Sequence, residues 1–326
     1  IDQLISRTSS INGFPGTTSL NSDRASQDTL ALYAQEEISL NKQWSLLLGA
    51  RYYRVDGELE RSNRFDILPD YDDTELVKSI AMTFSPSEEI TWRLNYSDGY
   101  IFPSLLNLTM GAFAGSRYIN PTVTLKPETS QTVEFGMRLN RESVTLDVGA
   151  FSTNAKNYID HLFCEPGDPC LGARDKIYKN IGEATTRGVE VAATYNFTSA
   201  SLYSSLTWLN RKIEYEGLKT DKSGIPELIG TLGIKAKRDL SQNLLEIDLF
   251  SRFSSQTEER TLVRNAFVDE AFAGYGTINA NFNLITPKHF KVALQLTNLT
   301  DKKYSTGTEN LYAKGRSAAL LLVLKF

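Results

Sequence analysis

The sequence predicts an all-β protein: an antiparallel, up-and-down β-barrel that crosses a membrane with its strands. Three observations support this fold class. Apolar and polar residues alternate in thirteen segments, short and long connections alternate between those segments, and charged residues mostly avoid the apolar face of each segment.

Strict alternation is the sequence pattern of a strand that has one apolar and one polar face. In EITWRLNYS, the residues Ile90, Trp92 and Leu94 share one face and Arg93 lies on the other. The closing stretch RSAALLLVLKF alternates in the same way up to Phe326. The thirteen segments with this pattern cover approximately residues 28–40, 43–56, 75–86, 88–100, 130–140, 143–155, 187–197, 199–212, 226–238, 242–254, 275–286, 289–299 and 316–326.

The connections between these segments alternate in length. Every second connection is a tight turn, and the connections between those turns are long and polar. The long loops cover residues 57–74, 101–129, 156–186, 213–225, 255–274 and 300–315, and within them residues 176–182 are a candidate extension of a strand above the main body. An outer-membrane barrel has this asymmetry, with short periplasmic turns and long external loops, whereas a soluble all-β protein needs no such rule.

Lipid is the solvent that this pattern indicates. Because hydrocarbon offers no hydrogen bonds, a spanning sheet must close on itself, and a charge on its lipid face costs up to about 2–4 kcal/mol. Arg138, Lys235 and Asp248 fall in the polar register, as this cost requires. Glu36 is an exception, because it shares the register of Leu32. Either a bulge shifts the strand at Glu36, or the assigned register is wrong.

The composition argues against two other classes of protein. With 41% hydrophobic and 23% charged residues the chain is too polar for a helical membrane protein, and it has no apolar run near the ~20 residues of a spanning helix. Its net charge of −4 gives no support to nucleic-acid binding, which favours a basic surface. The first residues, IDQLISRTSS, show no signal-peptide pattern, so we expect a mature form or a part of one.

The strand count predicts an incomplete barrel. Bacterial single-chain barrels have an even number of strands, whereas this sequence shows thirteen. The first segment is followed by a short turn, so that it would run inward from the external side. We therefore expect residues 1–27 to be the remnant of an external loop, and residues 28–326 to be the C-terminal portion of a longer barrel.

Five stretches carry a resemblance to a known family. They are YSDGYIFPSLLNL (96–108), NPTVTLKPETSQTVEFGMR (120–138), IYKNIGEATTRGVEVAATY (177–195), LTNLTDKKY (296–304) and the terminal Phe326. Each is a weak signal alone, but together they follow one order and fall on the predicted strands. In that order they resemble the C-terminal half of the β-barrel of TonB-dependent outer-membrane receptors.

This resemblance implies a barrel of about 22 strands around an N-terminal plug, of which about 13 C-terminal strands would be present here. It implies a transporter of the bacterial outer membrane that binds a scarce metal chelate, such as a ferric siderophore, at the cell surface. The TonB complex would supply energy through the absent N-terminal region. Outer-membrane lipid, lipopolysaccharide and the barrel-assembly machinery, which would read Phe326, are further expected partners.

Other cargoes and another class of protein are alternatives to this interpretation. Haem, cobalamin, another metal or a glycan could replace the siderophore within the same family. Residues 100–130 contain no histidine, which counts against haem. A passive porin or an adhesin barrel is the alternative from a different class.

Two cysteines and two histidines are the residues that could support metal or covalent chemistry. Cys164 and Cys170 lie close together in FCEPGDPC, and in an exported protein we expect them to form a disulfide rather than a metal site with His161. His289 falls in an inner turn, at the opposite end of the barrel from His161, so that the two cannot share one catalytic site. We therefore expect no enzyme activity, no cofactor and no resident metal.

Candidate ligand contacts are arginine and aromatic residues of the polar face and of loop 101–129. Together these side chains suit an anionic, aromatic iron chelate, through ion pairing, stacking and cation–π contact. The alternative is that the charges form a solvated network that contacts the plug, and that the aromatic rings pack the loops. The candidates are Arg51, Tyr53, Arg93, Tyr100, Phe102, Phe113, Arg117, Tyr118 and Arg138.

Overall fold

The computed structural model describes residues 3–9, 21–62, 70–114, 117–170, 172, 175–215, 218–263, 266–286, 290–306 and 312–324. Within them the chain forms twenty-one β-strands and one short π-helical turn, Leu106–Met110. In chain order the strands are β1 (Gln3–Ser9), β2 (Asn21–Ser39), β3 (Trp44–Arg61), β4 (Asp70–Phe84), β5 (Ile90–Ile101), β6 (Ala112–Ala114), β7 (Arg117–Asn120), β8 (Glu128–Asn140), β9 (Val144–Lys156), β10 (Ile159–Phe163), β11 (Lys176–Asn180), β12 (Glu183–Asn196), β13 (Ala200–Tyr215), β14 (Leu218–Thr220), β15 (Leu228–Leu240), β16 (Asn243–Ser254), β17 (Thr257–Val263), β18 (Ala266–Phe272), β19 (Tyr275–Ile285), β20 (Phe290–Thr297) and β21 (Ser317–Leu324).

Fifteen strands form one antiparallel sheet that follows the chain as a meander. Its order is β1-β2-β3-β4-β5-β8-β9-β12-β13-β15-β16-β19-β20-β21, and β14 pairs with β13 beside this path. The thirteen predicted segments correspond to the strands from β2 onward in this order, so the predicted all-β meander is confirmed. Among the described residues, no pairing joins β21 to β1, so the sheet is open.

Further strands lie in the segments that we expected to be loops. β1 pairs with the first part of β2, with Gln3 opposite Gln27 and Ser9 opposite Asn21, inside the segment 1–27. A four-stranded sheet, β10-β11-β7-β6, and the hairpin β17-β18 occupy three of the long loops. The segment 176–182, expected to extend a strand, contains β11. The other sequences lack regular apolar alternation, and the pattern therefore did not predict them. That segment 1–27 belongs to an external loop stays a prediction.

The two faces of the main sheet differ as the alternation requires. The apolar face carries Leu32, Trp92 and Leu320, and the polar face carries Arg93 and Asp147. Leu320 is 73% exposed and Leu32 is 61% exposed, although both are large and apolar. A water-soluble sheet would bury such a face under a second layer, whereas a membrane sheet leaves it to lipid.

Glu36 lies on the apolar face in an unbroken part of the β2–β3 ladder. It pairs with Leu48, and the register shifts only between Arg24 and Ala25. A bulge at Glu36, which we considered above, is therefore wrong, and the assigned register is right. Glu36 lies close to the end of β2 at Ser39, where a charge near the headgroups costs much less than at the membrane centre.

The stretch LTNLTDKKY closes a tight loop after β20. The buried side chain of Asn298 donates from Nδ2 to the carbonyl of Lys302 at 2.9 Å, and its Oδ1 accepts the N–H of Lys302 at 2.9 Å. The backbone N–H of Asn298 donates to Oδ1 of Asn279 at 3.0 Å, which ties the loop to β19. Asn298 has a φ of 54°, in the left-handed region that asparagine tolerates well. This stretch therefore has a structural role.

Two sequence predictions concern residues outside the described part of the chain. They are Phe326, expected to be read by the barrel-assembly machinery, and His289, expected in an inner turn. The described residues include no helix of the length and hydrophobicity needed to span a membrane.

Candidate ligand-binding site

The long loop between β5 and β8 packs onto the end of the main sheet that carries the long loops, here called the outer end. Two buried apolar clusters hold it there. The first combines residues of β2 and β3 with residues of the loop: Ala25, Leu59, Leu105 and Met110. The second combines one residue of β4 with two of the loop: Tyr71, Leu108 and Leu125. Because Leu59 shares the register of the polar face, the loop is held on the polar side of the sheet.

Two asparagines clip this loop to the next long loop, between β9 and β12. Asn180 accepts the N–H of Lys126 at 2.8 Å, and it donates to the carbonyls of Lys126 at 2.9 Å and Asn157 at 2.7 Å. Asn120, only 1% exposed, donates to the carbonyl of Lys176 at 3.0 Å. Both asparagines belong to stretches that carry the family resemblance, so these stretches join the two loops.

Cys164 and Cys170 form a disulfide, as predicted. In the bridged turn, Asp168 and Glu165 lie 3.1 Å and 3.5 Å from Nζ of Lys179, which belongs to β11. Burial is the largest single influence on Lys179 and opposes its charge, but the hydrogen bonds and negative charges of Asp168 and Glu165 together outweigh burial and raise the pKa of Lys179. The disulfide and these ion pairs restrain the same turn.

His161 takes part in a contact within its own loop. Its Nδ1 lies 2.7 Å from Oδ1 of Asp160, and its ring stacks on Tyr178 with centroids 6.4 Å apart. Burial disfavours the Asp160 carboxylate, yet its hydrogen bonds with His161 leave the pKa of Asp160 below the ordinary value. Over the described ranges, no group of three or more His, Cys, Asp or Glu residues could hold a metal ion.

Three of the candidate residues meet towards the outer end of the polar face: Arg51, Tyr53 and Tyr100. The guanidinium carbon of Arg51 lies 4.8 Å from the centroid of the Tyr53 ring, and that ring lies 5.3 Å from the Tyr100 ring. Tyr100 donates its hydroxyl to Asp73 at 2.6 Å. Arg51 forms no ion pair with a described carboxylate, but two carboxylates lie on the same face of β4: Glu75 opposite Tyr53, and Asp73 opposite Val55. We call these three residues the outer aromatic group.

A local separation of two strands brings Tyr100 into this group. Simple alternation along β5 would place Tyr100 on the apolar face with Trp92. The β4–β5 ladder ends at the pair Ser79 and Ser97, and the carboxylate of Asp98 accepts the next free N–H of β4 at 3.2 Å. Beyond this point β5 no longer follows β4, and Tyr100 turns towards the polar face.

The remaining loop candidates differ in their surroundings. Phe102 is half-buried against the second apolar cluster. Tyr118 is 9% exposed and donates its hydroxyl to the carbonyl of Met110 at 2.6 Å. Phe102 thus packs against a cluster that joins the loop to β4, and the role of these two aromatic residues in ligand binding stays a prediction. The side chains of Phe113 and Arg117 lie outside the described part of the chain.

Arg93 and Arg138 lie near the opposite, inner end of the polar face, in a network with two carboxylates. Arg93 forms an ion pair with Asp147, and its Nε lies 3.6 Å from Glu134. Arg138 donates from Nε to Asp147 at 2.7 Å. A Cβ atom at Gly136 would lie 2.8 Å from Nε of Arg93, so glycine makes room for that side chain. The structure therefore separates these arginines from the outer aromatic group and neutralises them with protein carboxylates.

Sequence reasoning missed Arg211, an arginine near the outer end of β13. Its guanidinium carbon lies 5.1 Å from the centroid of the Tyr158 ring. Arg211 pairs with Thr186 of β12, which places it on the polar face. The register of β13 contained this information, because Arg211 is out of phase with Trp208 of the apolar face. It was overlooked because the end of that strand is polar on both faces.

Ion pairs also connect the loop after β14 to the hairpin β17–β18. Lys222 Nζ lies 2.8 Å from Asp269, and Arg260 donates to the same carboxylate at 2.6 Å and 2.8 Å. Hydrogen bonds from Arg260 and Lys222 hold the pKa of Asp269 well below its ordinary value. Several external segments are thus joined by polar contacts between side chains.

Known structures share this fold. The copper transporter OprC matches with a TM-score of 0.78 and 15% identity, over 100% of this chain and 52% of OprC. The FrpB iron transporter from Neisseria meningitidis (F3-3 variant) matches with a TM-score of 0.73 and 14% identity, over 92% of this chain and 45% of FrpB. The siderophore receptor PiuA from Acinetobacter baumannii matches with a TM-score of 0.67 and 20% identity, over 95% of this chain and 45% of PiuA.

These identities establish the fold alone, and the chain spans about half the length of these three proteins. No curated protein matches the sequence. A family model described as TonB dependent receptor-like, beta-barrel, matches residues 3–299. That match covers nearly the whole chain and includes three of the five stretches named above in full and the start of a fourth, 296–304. The chain therefore belongs to the TonB-dependent receptor family, whose members lie in the bacterial outer membrane and are transporters rather than enzymes.

Proposed function

We propose that the whole protein binds an anionic, aromatic metal chelate, in the first place a ferric siderophore, and imports it into the periplasm with energy from the TonB complex. The observation that carries this proposal is the outer aromatic group. There, the guanidinium of Arg51, which forms no ion pair with a described carboxylate, lies against Tyr53, and the Tyr53 ring lies 5.3 Å from the tilted ring of Tyr100.

The chemistry of this group suits such a cargo. A siderophore that binds iron through aromatic phenolates or carboxylates presents flat rings and negative oxygen atoms. A guanidinium donates two parallel hydrogen bonds to oxygen anions, and tyrosine rings offer stacking faces. In this arrangement Tyr53 lies between a cation and a second ring, so an aromatic chelate could contact all three side chains. The restrained loops around the outer end would limit the movement of these contacts.

The related structures support iron chelates as the first class of cargo to test. They are an iron transporter and a siderophore receptor, but also a copper transporter. Copper is a less attractive cargo here, since soft thiolate and thioether ligands bind copper(I), the two cysteines are bonded to each other, and the sequence has three methionines.

The other partners enter the proposal through the whole protein. The plug and its TonB contact would belong to a region before residue 1, with residues 28–326 forming the C-terminal portion of the barrel. Outer-membrane lipid would cover the apolar face, with lipopolysaccharide at its outer end. The barrel-assembly machinery would read Phe326.

Iron uptake by the full-length receptor tests the proposal. The receptor would be expressed in a bacterial host without its own siderophore receptors, and radioactive iron would be supplied as a ferric catecholate. We expect uptake that a protonophore abolishes. Arg51→Gln should raise the Kd about 10- to 150-fold, because a hydrogen bond to a charged group contributes about 1.5–3 kcal/mol.

Arg54→Gln is the matched control. Arg54 lies three residues after Arg51 on β3, but its Nε is 2.8 Å from Oδ2 of Asp56, so that its charge is paired within the protein. It should leave the Kd unchanged. If the wild-type receptor binds no ferric chelate, the proposed cargo is excluded. Uptake that resists the protonophore would instead favour a passive porin.

A further inference from the structure

The apolar face of β12 ends sharply towards the outer end of the sheet. From Phe197 back to Val189 every second side chain is apolar or aromatic, and this stretch has the length, about 9–11 residues, with which a tilted strand crosses a membrane. Val189 pairs with Trp208 of β13, whose side chain is 50% exposed, as in the aromatic girdle of a membrane barrel. The next row outward, which contains Arg187, therefore lies at the level of the lipid headgroups.

Beyond Val189 and Trp208, the same face carries a groove of about 270 Å³. Arg187 and Lys212, on neighbouring strands, both line it. Asn210 lies opposite Arg187, and Thr185 lies opposite Lys212, so that the two cations occupy successive rows of the ladder. The groove therefore combines two cations with neutral groups that form hydrogen bonds.

The carboxylates of this groove are paired, whereas its two inner cations form no ion pair with a described residue. The carboxylates lie opposite each other at the outer end of the groove, and each has a lysine partner: Glu183 with Lys156 at 3.7 Å, and Glu214 with Lys219 at 2.9 Å. Arg187 and Lys212 are exposed, and no ion pair within the described ranges involves either of them. The unpaired positive charge thus lies in the two rows nearest the membrane.

The corresponding margin of β2, β3 and β4 has the opposite charge. Asp28, Asp56 and Asp72 form one row across these three strands, on the face that is apolar further inward. Arg54 lies 2.8 Å from Asp56 and pairs with it. A negatively charged headgroup would be repelled by this row. The basic groove is therefore a local feature of β12 and β13 and not a general property of the outer margin.

We infer that Arg187 and Lys212 bind a phosphate group of lipopolysaccharide in the outer leaflet of the membrane. A guanidinium donates two parallel hydrogen bonds to a phosphate, and an ammonium adds a second positive charge. Because the groove opens beside Val189 and Trp208, the acyl chains of the same lipid would lie along the apolar face. A free phosphate ion would gain only the polar half of these contacts.

This inference rests on one part of the proposed function, the placement of lipopolysaccharide at the outer end of the apolar face. It does not depend on the cargo, because the groove lies on the face opposite to the outer aromatic group. Lipid binding and chelate binding can therefore fail separately.

Lipid binding to the purified full-length receptor in an uncharged detergent tests the site. The probes are lipid A, which is the phosphorylated anchor of lipopolysaccharide, dephosphorylated lipid A, phosphatidylglycerol and inorganic phosphate, and native mass spectrometry measures the bound fraction of each. We expect lipid A to bind more tightly than the other three. Arg187→Gln should raise the Kd of lipid A about 10-fold, the lower end for a hydrogen bond to a charged group, because the groove is open to water.

Two further variants separate the contributions to the site. Combining Arg187→Gln with Lys212→Gln should weaken binding of lipid A more than Arg187→Gln does alone, and should change binding of dephosphorylated lipid A little. Arg187→Lys keeps the charge but not the planar donor edge, and should retain part of the affinity. Arg54→Gln is the matched control, because it removes the same charge from the same face within the acidic margin; it should leave the Kd of lipid A unchanged.

Each of the other outcomes overturns the site. They are an unchanged Kd of lipid A in the double variant, equal losses for lipid A and its dephosphorylated form, and binding of phosphatidylglycerol or inorganic phosphate as tight as that of lipid A. Heat-modifiable gel mobility verifies folding; if Arg187→Gln does not assemble, an unchanged affinity of Lys212→Gln for lipid A overturns the site.

The Kd of a ferric catecholate, measured on the same wild-type receptor, separates this inference from the proposed cargo. If the wild type binds no chelate but loses lipid A through Arg187→Gln, the lipid site stands and the cargo is excluded. If the wild type binds the chelate and Arg187→Gln keeps its full affinity for lipid A, the cargo stands and the lipid site is overturned.

Discussion

Two arginine substitutions at adjacent positions of β21 would identify the solvent on each face of the sheet. Leu321 and Leu322 are almost equally exposed, at 58% and 57%. Leu322 pairs with Val292 of the apolar face, and Leu321 pairs with Ala293 of the polar face. The same change of side chain at both positions therefore compares lipid with the barrel interior.

The expected magnitude follows from the position of each residue in the strand. Arginine on a lipid face costs about 2–4 kcal/mol at the membrane centre and about 0–1 kcal/mol near the headgroups. Leu322 lies in the inner half of β21, so we expect Leu322→Arg to cost about 2 kcal/mol, a roughly 30-fold loss in the folding equilibrium. Leu320→Arg, nearer the strand centre, should cost up to about 4 kcal/mol. Leu321→Arg should change stability by about 0.5 kcal/mol or less.

Unfolding of the full-length receptor in lipid vesicles measures these costs. Urea titrations would be followed by tryptophan fluorescence and by heat-modifiable mobility on gels. The order of stability should be wild type, Leu321→Arg, Leu322→Arg and Leu320→Arg, from highest to lowest. Equal costs for Leu320→Arg and Leu321→Arg, or a larger cost for the latter, would refute the assignment of the apolar face to lipid.

Three further predictions concern the polar contacts of the loops. Asn298→Ala removes two hydrogen bonds from a buried site. Amide hydrogen exchange in loop 299–306 should therefore accelerate, by up to the equivalent of about 1–3 kcal/mol in opening free energy. Unchanged exchange would contradict the role of this side chain in holding the loop closed. Asn180→Ala should make the loop between β5 and β8 more sensitive to protease, and Asn180→Asp, which keeps only the acceptor, should be intermediate; equal resistance of all three proteins would argue against the clip. Because the pKa of Asp269 is lowered, its ion pairs with Arg260 and Lys222 are fully present above the unfolded pKa and are lost only as the pH falls through the lower, folded pKa. Exchange protection of the β17–β18 hairpin should therefore be constant between about pH 7 and about pH 5 and reduced by Asp269→Asn at both, whereas loss of protection of the wild type within that range would disprove the assignment.

The sequence was informative where one face of a strand contacts lipid. In EITWRLNYS and RSAALLLVLKF every second residue is apolar, because hydrocarbon excludes polar side chains from that face. The same rule located Arg93 and Arg138 on the polar face, and the register of β5 and β8 confirms it. β1 and the loop strands other than β11 escaped detection, because they lack this one-sided apolar pattern.

The candidate site was predictable only in part. Arg51 and Tyr53 follow from the register of β3, but their partner Tyr100 lies in the opposite phase of β5 and joins them only because β5 separates from β4. In the sequence, Arg93 is indistinguishable from Arg51, because both are arginines in the polar register of a strand. In the structure, however, Asp147, which lies two strands away, neutralises Arg93. Arg211 gave no pattern that set it apart. Pairing between distant strands, which local periodicity does not encode, made these distinctions.

By itself, the sequence determined the strand meander, the face that meets lipid, the disulfide between Cys164 and Cys170, and the family. These features depend on local alternation, on the spacing of a few residues and on short stretches in a fixed order. Only the tertiary structure decided which arginines are neutralised, how the two long loops are clipped by Asn180, and which described guanidinium forms no ion pair. Those properties arise from side chains that are far apart in the chain, and their electrostatic and hydrogen-bonding energies depend on separations of a few ångströms that only the folded sheet sets.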